Sequence, residues 1–218
     1  MARILITSGP TRQYLDPVRY LTNASSGRMG SALAAAAVER GHEVVLVSGP
    51  VDIEYPAEAE VIDVISTEEM LAASRDVFAS CDGLIGVAAP CDYRPVHVQP
   101  DKIKKTGEPL RLELIETDDV VATLGQRKGD RWMVGFALET DDQRLRALAK
   151  LEEKSCDLMV INGPQAMHSL QNQVELLGPD GQVLDRFEGS KEEVGRRIFR
   201  VIQQRLIDGR LAKPEELS

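Results

Sequence analysis

Thr22-Asn23-Ala24-Ser25-Ser26-Gly27-Arg28-Met29-Gly30, running on into Ser31-Ala32-Leu33-Ala34-Ala35-Ala36-Ala37, joins a strand pattern to a helix pattern. Upstream, Arg3 to Ser8 is an apolar run stopped by Gly9-Pro10, which predicts a buried strand. Downstream, the small residues predict a helix over Ser26 to Arg40, closed by Gly41 as the residue after its cap. A helix that opens here aims free backbone N–H groups and the positive end of its dipole at whatever lies in front of it. Ser25 and Ser26 add hydroxyl donors, and Gly27 and Gly30 are expected to let a ligand approach the backbone closely. The composite is a phosphate cradle. A plain helix cap with a close-packing glycine stays open on these residues alone.

Further along, strand and helix patterns alternate. Glu43 to Ser48 predicts a second strand, and Ser66 with Glu69 a capping box that opens a helix to about Ser80. Asp82 to Ala89 predicts a strand so rich in Gly and Ala that something must pack closely against it. Residues 90–109 carry four prolines and no period, which predicts a long loop of the functional kind. Leu112 and Leu114 alternating with Arg111 and Glu113 predict a half-exposed strand over Leu110 to Ile115. Then come a short helix over Asp118 to Gln126, a strand over Trp132 to Leu138, and a helix over Asp141 to Lys154 with Leu145, Leu148 and Leu151 on one face. A strand over Asp157 to Asn162 precedes a hairpin, Val174 to Leu177 with Val183 to Phe187. The last helix spans Ser190 to Asp208, with a capping box at Ser190 and Glu193 and a stripe of Val194, Ile198, Val201, Ile202 and Leu206.

Such alternation argues a doubly wound, mostly parallel Rossmann-like α/β sheet with helices on both faces and a small β-hairpin or dimerisation element. The whole of 1–218 is expected to be one domain, with 90–115 as a flap loop and strand and 209–218 as a frayed tail. Ligands of such sheets bind where the loops after Ser8, Ala89 and Leu138 converge.

Composition narrows the chemistry. Of 218 residues 43% are hydrophobic, ample for a core, and the formal charge is −9. An acidic chain is a poor non-specific nucleic-acid binder, so any anion site must be local. Three cysteines without a CxxC pair fit a reducing, cytoplasmic setting, and the three scattered histidines give no zinc spacing. The apolar run at the N-terminus is too short for a signal peptide or a membrane span.

Several residues carry candidate chemistry. Asn23 can donate and accept beside a phosphate, though a turn asparagine is the plainer reading. Asp92 is a candidate for a Mg2+ or a ribose, and Cys91 a nucleophile only if a base partners it, otherwise a small buried residue. Asp101-Lys102-Ile103-Lys104-Lys105 is the one dense basic cluster, read as a flap over a triphosphate or as a solvated loop. Phe136 stacks on a base or faces the core, and Lys150 and Lys154 share one helix face.

Together, Thr7-Ser8-Gly9-Pro10-Thr11-Arg12, Asp16-Pro17-Val18-Arg19-Tyr20, Asn23 with Ser25-Ser26-Gly27, Asp92-Tyr93-Arg94-Pro95, Lys102-Ile103-Lys104-Lys105 and Val134-Gly135-Phe136-Ala137 resemble the phosphopantothenoylcysteine synthetase family. The resemblance is to the stand-alone synthetase, without the fused flavin-dependent decarboxylase domain. It implies a ligase of coenzyme A biosynthesis. A nucleoside triphosphate, with CTP expected and ATP the alternative, activates 4′-phosphopantothenate in the presence of Mg2+, and cysteine then displaces the nucleotide. By position it implies catalytic roles for Asn23 and Lys102. It implies nucleotide binding by Gly9, Ser25, Ser26, Gly27, Asp92, Lys102, Asp118, Asp119, Val120, Val121, Phe136, Lys150 and Lys154, and substrate binding by Arg19, Asn23 and Ala89. No metal-ligand set is assigned. The family is dimeric, so a homodimer is expected, with no nucleic-acid or membrane partner, and docking of a separate decarboxylase is left open.

The chain departs from the family pattern at Pro90-Cys91, at Thr117-Asp118, and near the end, where only Ser169 and Asn172 survive of a longer motif. Two alternatives share the fold: a non-catalytic nucleotide-binding protein, and an NAD(P)-dependent short-chain reductase. Against the reductase, GxGxxG is missing, and Tyr14, Tyr20, Tyr55 and Tyr93 are followed four positions on by Val18, Ala24, Ala59 and His97, never by lysine.

Overall fold

The structure, a computed structural model, describes residues 1–138, 143–162 and 172–211. Its centre is an eight-stranded sheet. Five buried apolar runs make the parallel part: β1 (Arg3–Ser8), β4 (Glu43–Ser48), β6 (Gly83–Gly86), β9 (Trp132–Leu138) and β10 (Leu158–Asn162). Strands apolar on both faces suit a sheet covered on both sides. A short strand, β5 (Glu60–Asp63), adds to one edge, and β11 (Asn172–Leu177) and β12 (Val183–Gly189) to the other. The order is β12-β11-β10-β9-β6-β1-β4-β5. β1 sits between β4 and β6, with Ile6 opposite both Leu46 and Ile85. Within this sheet all pairings are parallel except β10 with β11 and β11 with β12. The hairpin is therefore an extension of the main sheet rather than a separate small element.

Helices cover both faces, as expected for a doubly wound sheet. α1 (Arg28–Val38) and α5 (Lys191–Ile202) lie on one, where Ile4, Ile6, Leu33, Val160 and Ile198 form one buried cluster. α2 (Thr67–Phe78), α3 (Val120–Gly125) and α4 (Gln143–Glu153) lie on the other, around Leu5, Met70, Leu124, Met133 and Leu151. α1 and α5 pack so tightly that a Cβ on Gly195 would stand 2.9 Å from that of Ala32. The close packing expected on β6 is present: a Cβ on Gly83 would fall 2.1 Å from the Trp132 ring, and one on Gly86 2.5 Å from Val121.

Several element boundaries differ from the sequence reading. α1 begins at Arg28, because Gly27 is left-handed (φ 73°). It ends in a Schellman turn, with Gly41 N–H to Val38 O and His42 N–H to Ala37 O. Between β1 and α1, where the sequence reading placed no element, residues 12–22 form a hairpin of β2 (Arg12–Tyr14) and β3 (Tyr20–Thr22). The strand expected over 82–89 keeps only four residues, with Ala89 bridging to Pro10 beyond it. That expected over 110–115 shrinks to β8 (Leu114–Glu116), paired with β7 (Tyr93–Pro95); Leu112 and Leu114 are both exposed, so their alternation marks no buried face. In α4 the inward positions are Ala147 and Leu151, while Leu145 is 72% exposed. The capping box at Ser190 and Glu193 is complete, but at Ser66 the Glu69 carboxylate reaches one residue further, to the Ile65 N–H. After α5 the chain widens into a π-helical turn (Gln203–Ile207) and ends in α6 (Asp208–Leu211), with Leu206 still buried. The expected start of α4 at Asp141, the Ser169 remnant and the tail beyond Leu211 lie outside the described residues, as does the Asn172 side chain.

Candidate active site

From β1 the chain winds outward to β4 and β5, then returns to β6 on the other side of β1. The carboxyl ends of β1 and β6 therefore flank a topological switch point, the place where open α/β sheets bind ligands. A cavity of about 960 Å3 opens there, running from the N-termini of α1 and α5 on one face to α3 and the end of α4 on the other.

The cradle makes its first wall. Ser25, Ser26 and Gly27 line it, and no side chain caps α1. A hydroxyl relay holds the cap from behind: Tyr55 OH donates to Ser8 Oγ (2.9 Å), which donates to the Gly27 carbonyl (3.3 Å). The two glycines are also packed closely against protein. A Cβ on Gly30 would meet Ser8 Oγ at 2.1 Å, and one on Gly27 would meet Val51 at 2.8 Å. Their bareness makes room for these protein neighbours, while the backbone of both lines the cavity.

The loop after β6 makes the second wall, from Val87 to Pro90 with Asp92 at the exposed rim. Asn23 Nδ2 donates to the Pro90 carbonyl at 2.8 Å, joining this loop to the cradle. Pro90 has no N–H to give, and the loop is held through Cys91 instead. The Cys91 N–H donates to Thr11 Oγ1 (2.7 Å), and its carbonyl accepts from Thr67 Oγ1 and Thr117 Oγ1. The Cys91 thiol is buried and points to the Tyr93 carbonyl, so the small-buried-residue reading holds.

On the opposite face, Asp118, Asp119, Val120 and Val121 line the cavity with Lys154. Asp119 caps α3 through the Ala122 N–H (2.9 Å) and pairs with Lys154 Nζ (2.8 Å). Burial raises its pKa, but the Ala122 N–H and the Lys154 ammonium outweigh it, so the carboxyl lies below its ordinary range. Phe136 and Ala137 floor the cavity. Phe136 also packs against the α1 and α5 cluster, so it serves core and site together. Asn162, at the end of β10, brings a buried Oδ1 that has no hydrogen-bond partner among the described residues.

Four expected residues stand off this wall. Gly9 is behind it, its carbonyl accepting from Ala89 N–H (2.9 Å). Arg19 is engaged by buried Asp16 and the Ile103 carbonyl. Burial raises the Asp16 pKa, but the N–H groups of Ile103, Val18 and Arg19 and the Arg19 guanidinium hold it down at about 2. Lys102 lines a second cavity of about 340 Å3 beneath the 90–116 arm, and Lys150 lies one helical turn before Lys154.

Two cations on the wall were given no role from sequence, Arg28 and Lys191. The capping box at Ser190 already placed Lys191 at the first position of a helix; what it did not say was where that helix points. No set of three His, Cys, Asp or Glu groups for a metal occurs among the described residues. Mg2+ carried on phosphates needs only one or two carboxylates, with water completing its octahedron, and the carboxylates of Asp92 and Asp118 fit that demand.

The sequence model of the DNA/pantothenate metabolism flavoprotein C-terminal domain family matches residues 1–206. The chain is 39% identical over 208 residues to the coenzyme A biosynthesis bifunctional protein CoaBC of Vibrio parahaemolyticus, covering 92% of this chain and 52% of that protein. The crystal structure of the C-terminal domain of a CoaBC protein superposes with a TM-score of 0.80 at 38% identity, covering 95% of this chain and 96% of that one. A DNA/pantothenate metabolism flavoprotein from Streptococcus pneumoniae shares the fold, with a TM-score of 0.83 at 21% identity. The chain thus spans about half the length of the curated relatives it matches.

Proposed function

The chain belongs to the DNA/pantothenate metabolism flavoprotein C-terminal domain family, and from that premise we propose that it is a ligase joining 4′-phosphopantothenate to cysteine at the expense of CTP. The observation that carries the reading is convergence. Asn23, the Ser25–Gly27 cradle, Ala89, Asp92, Asp118 to Val121, Phe136 and Lys154 come from separate segments and line one cavity. These are positions that the synthetase resemblance marks for nucleotide and substrate. The coenzyme A biosynthesis names of the relatives support the same pathway.

In this reading a carboxylate oxygen of phosphopantothenate attacks the α-phosphorus, the bond to the β-phosphate oxygen breaks, and pyrophosphate leaves. The cysteine amine then attacks the acyl carbon, loses a proton, and CMP departs with the bridging oxygen. The cradle amides and the Ser25 and Ser26 hydroxyls hold phosphate oxygens. Asn23, fixed through Nδ2 to Pro90, orients the acyl centre. Lys154, fixed by Asp119, sets the far end of the nucleotide. Asp92 and Asp118 would hold Mg2+, which offsets charge on the phosphates.

The reading extends to a homodimer. Leu110, Leu112, Leu114 and Ile115 on the arm are exposed, and Lys102 stands outside its own chain's cavity. An interface that covers the arm would let Lys102 act across it. No helix among the described residues is long and apolar enough to cross a membrane, and a cytoplasmic setting fits the substrates.

The test is pyrophosphate release from purified protein with Mg2+ and 4′-phosphopantothenate, CTP against ATP, with and without cysteine. Release that requires phosphopantothenate, with amide product once cysteine is added, supports the ligase. No release with either nucleotide overturns it.

A further inference from the structure

We infer that Lys191 and Arg28 form a clamp for the terminal phosphates of the nucleotide, at the end of the cavity opposite Lys154. The inference rests on the ligase reading only for the identity of the anion.

Both side chains line the cavity, Arg28 from the first position of α1 and Lys191 from the first of α5. The close contact of Gly195 with Ala32 keeps the two helices together. Among the described residues, neither side chain is in a hydrogen bond or within ion-pair distance of a carboxylate. Lys191 is half-buried, and burial followed by repulsion from Arg28 lowers its pKa, against a smaller pull from Glu192. Two like charges held side by side at a cavity wall are unfavourable until an anion joins them.

The remaining cations of the site are otherwise engaged. Lys154 is paired with Asp119 on the far face, and Lys102 lies in the second cavity. In a chain of net charge −9, Arg28 and Lys191 are where the wall presents uncompensated positive charge. A nucleoside near Lys154 and Phe136, with its phosphates crossing the cradle, would bring its terminal phosphoryl groups to this pair. Lysine acts there as a point charge and arginine as a fork that grips two oxygens.

The experiment uses the full chain and three probes, CTP, CMP and inorganic tripolyphosphate, with 4′-phosphopantothenate as a fourth. Binding is measured by calorimetry in Mg2+ for wild type, Lys191→Met, Lys191→Arg and Arg28→Ala, with thermal melts confirming that each variant folds. Lys191→Met and Arg28→Ala are expected to weaken CTP and tripolyphosphate by about tenfold to a hundredfold and CMP by less than about twofold, with Lys191→Arg recovering most of the loss. Equal losses for CMP, a loss confined to phosphopantothenate, or no loss at all would overturn the clamp. The two readings fail separately. Wild type that binds tripolyphosphate through Lys191 but no nucleotide keeps the clamp and loses the ligase; wild type that binds CTP just as Lys191→Met does keeps the ligase and loses the clamp.

Discussion

Asn23 and Pro90 are joined by a single hydrogen bond of 2.8 Å, from the side-chain amide of one to the main-chain carbonyl of the other. The bond links the cradle before α1 to the loop after β6. Asn23→Ala is expected to lower amide formation by about a hundredfold or more, while CTP binding changes little. Stability should fall by only about 1 kcal/mol. Single-turnover kinetics alongside urea unfolding separate the two effects, and a proportionate loss of CTP affinity would refute the assignment.

Asp119 holds both the first turn of α3 and the Lys154 ammonium. Asp119→Ala should destabilise the fold by about 1–2 kcal/mol through the lost cap and also raise KM for the nucleotide by releasing Lys154. Lys154→Met should raise KM with a smaller stability loss. Denaturant midpoints and initial rates on the two variants check this; equal stability losses would mean that the ion pair, not the cap, dominates.

Asp16 sets a pH dependence. Its folded pKa of about 2 lies below the ordinary 3.8, so its stabilisation is full above the ordinary value and is lost as pH falls toward the folded one. The melting temperature of wild type should exceed that of Asp16→Asn at neutral pH, and the gap should close in strong acid. A gap that stays constant across the titration would contradict the assignment. Because the Ile103 N–H and carbonyl meet Asp16 and Arg19, Asp16→Asn should also loosen the Lys102 segment, visible as faster proteolysis of the arm.

Gly30 tests the contact of helix and strand. Gly30→Ala puts a methyl 2.1 Å from Ser8 Oγ, and overpacking of this kind costs about 1–3 kcal/mol. Since Ser8 holds the Gly27 carbonyl, phosphate binding should weaken with it. Ser8→Gly in the same chain should restore part of the stability but not the binding, measured by melts and tripolyphosphate titration.

The three cysteines are buried, and burial pushes the thiols of Cys156, to about 12, and of Cys81 upward. Native protein should resist iodoacetamide at mildly alkaline pH and take three labels in denaturant, as read by intact mass. Cys91→Ala should keep turnover within about tenfold, whereas removing a nucleophile costs about a millionfold.

The sequence made the sheet legible wherever strands are apolar on both faces, as in Ile4-Leu5-Ile6 and Val44-Val45-Leu46, since burial leaves no other composition. It hid β5, an exposed edge strand with a charge at each end, and the β2–β3 hairpin, whose three-residue strands depend on Asp16 and Arg19 rather than on a period. On the site, the segments at Ser25 to Gly27, at Ala89 and at Phe136 led to the cavity because each sits beside the end of a parallel strand, whereas Arg19 and Lys102 stand off it. Lys191 was not legible because its place follows from strand pairings far from it, nor was the close contact of Gly30 with Ser8, because the two are distant in sequence.

The edge hairpin has a consequence in parity. Between β10 and α5 the chain inserts two strands, and two reversals of direction cancel. α5 therefore arrives amino end first at the same rim as α1. An odd number of strands would bring it carboxyl end first, with bare carbonyl oxygens and a negative pole turned to the cavity. Whether that wall attracts or repels an anion is thus decided by a count of strands at the sheet's far border, among residues that touch no substrate.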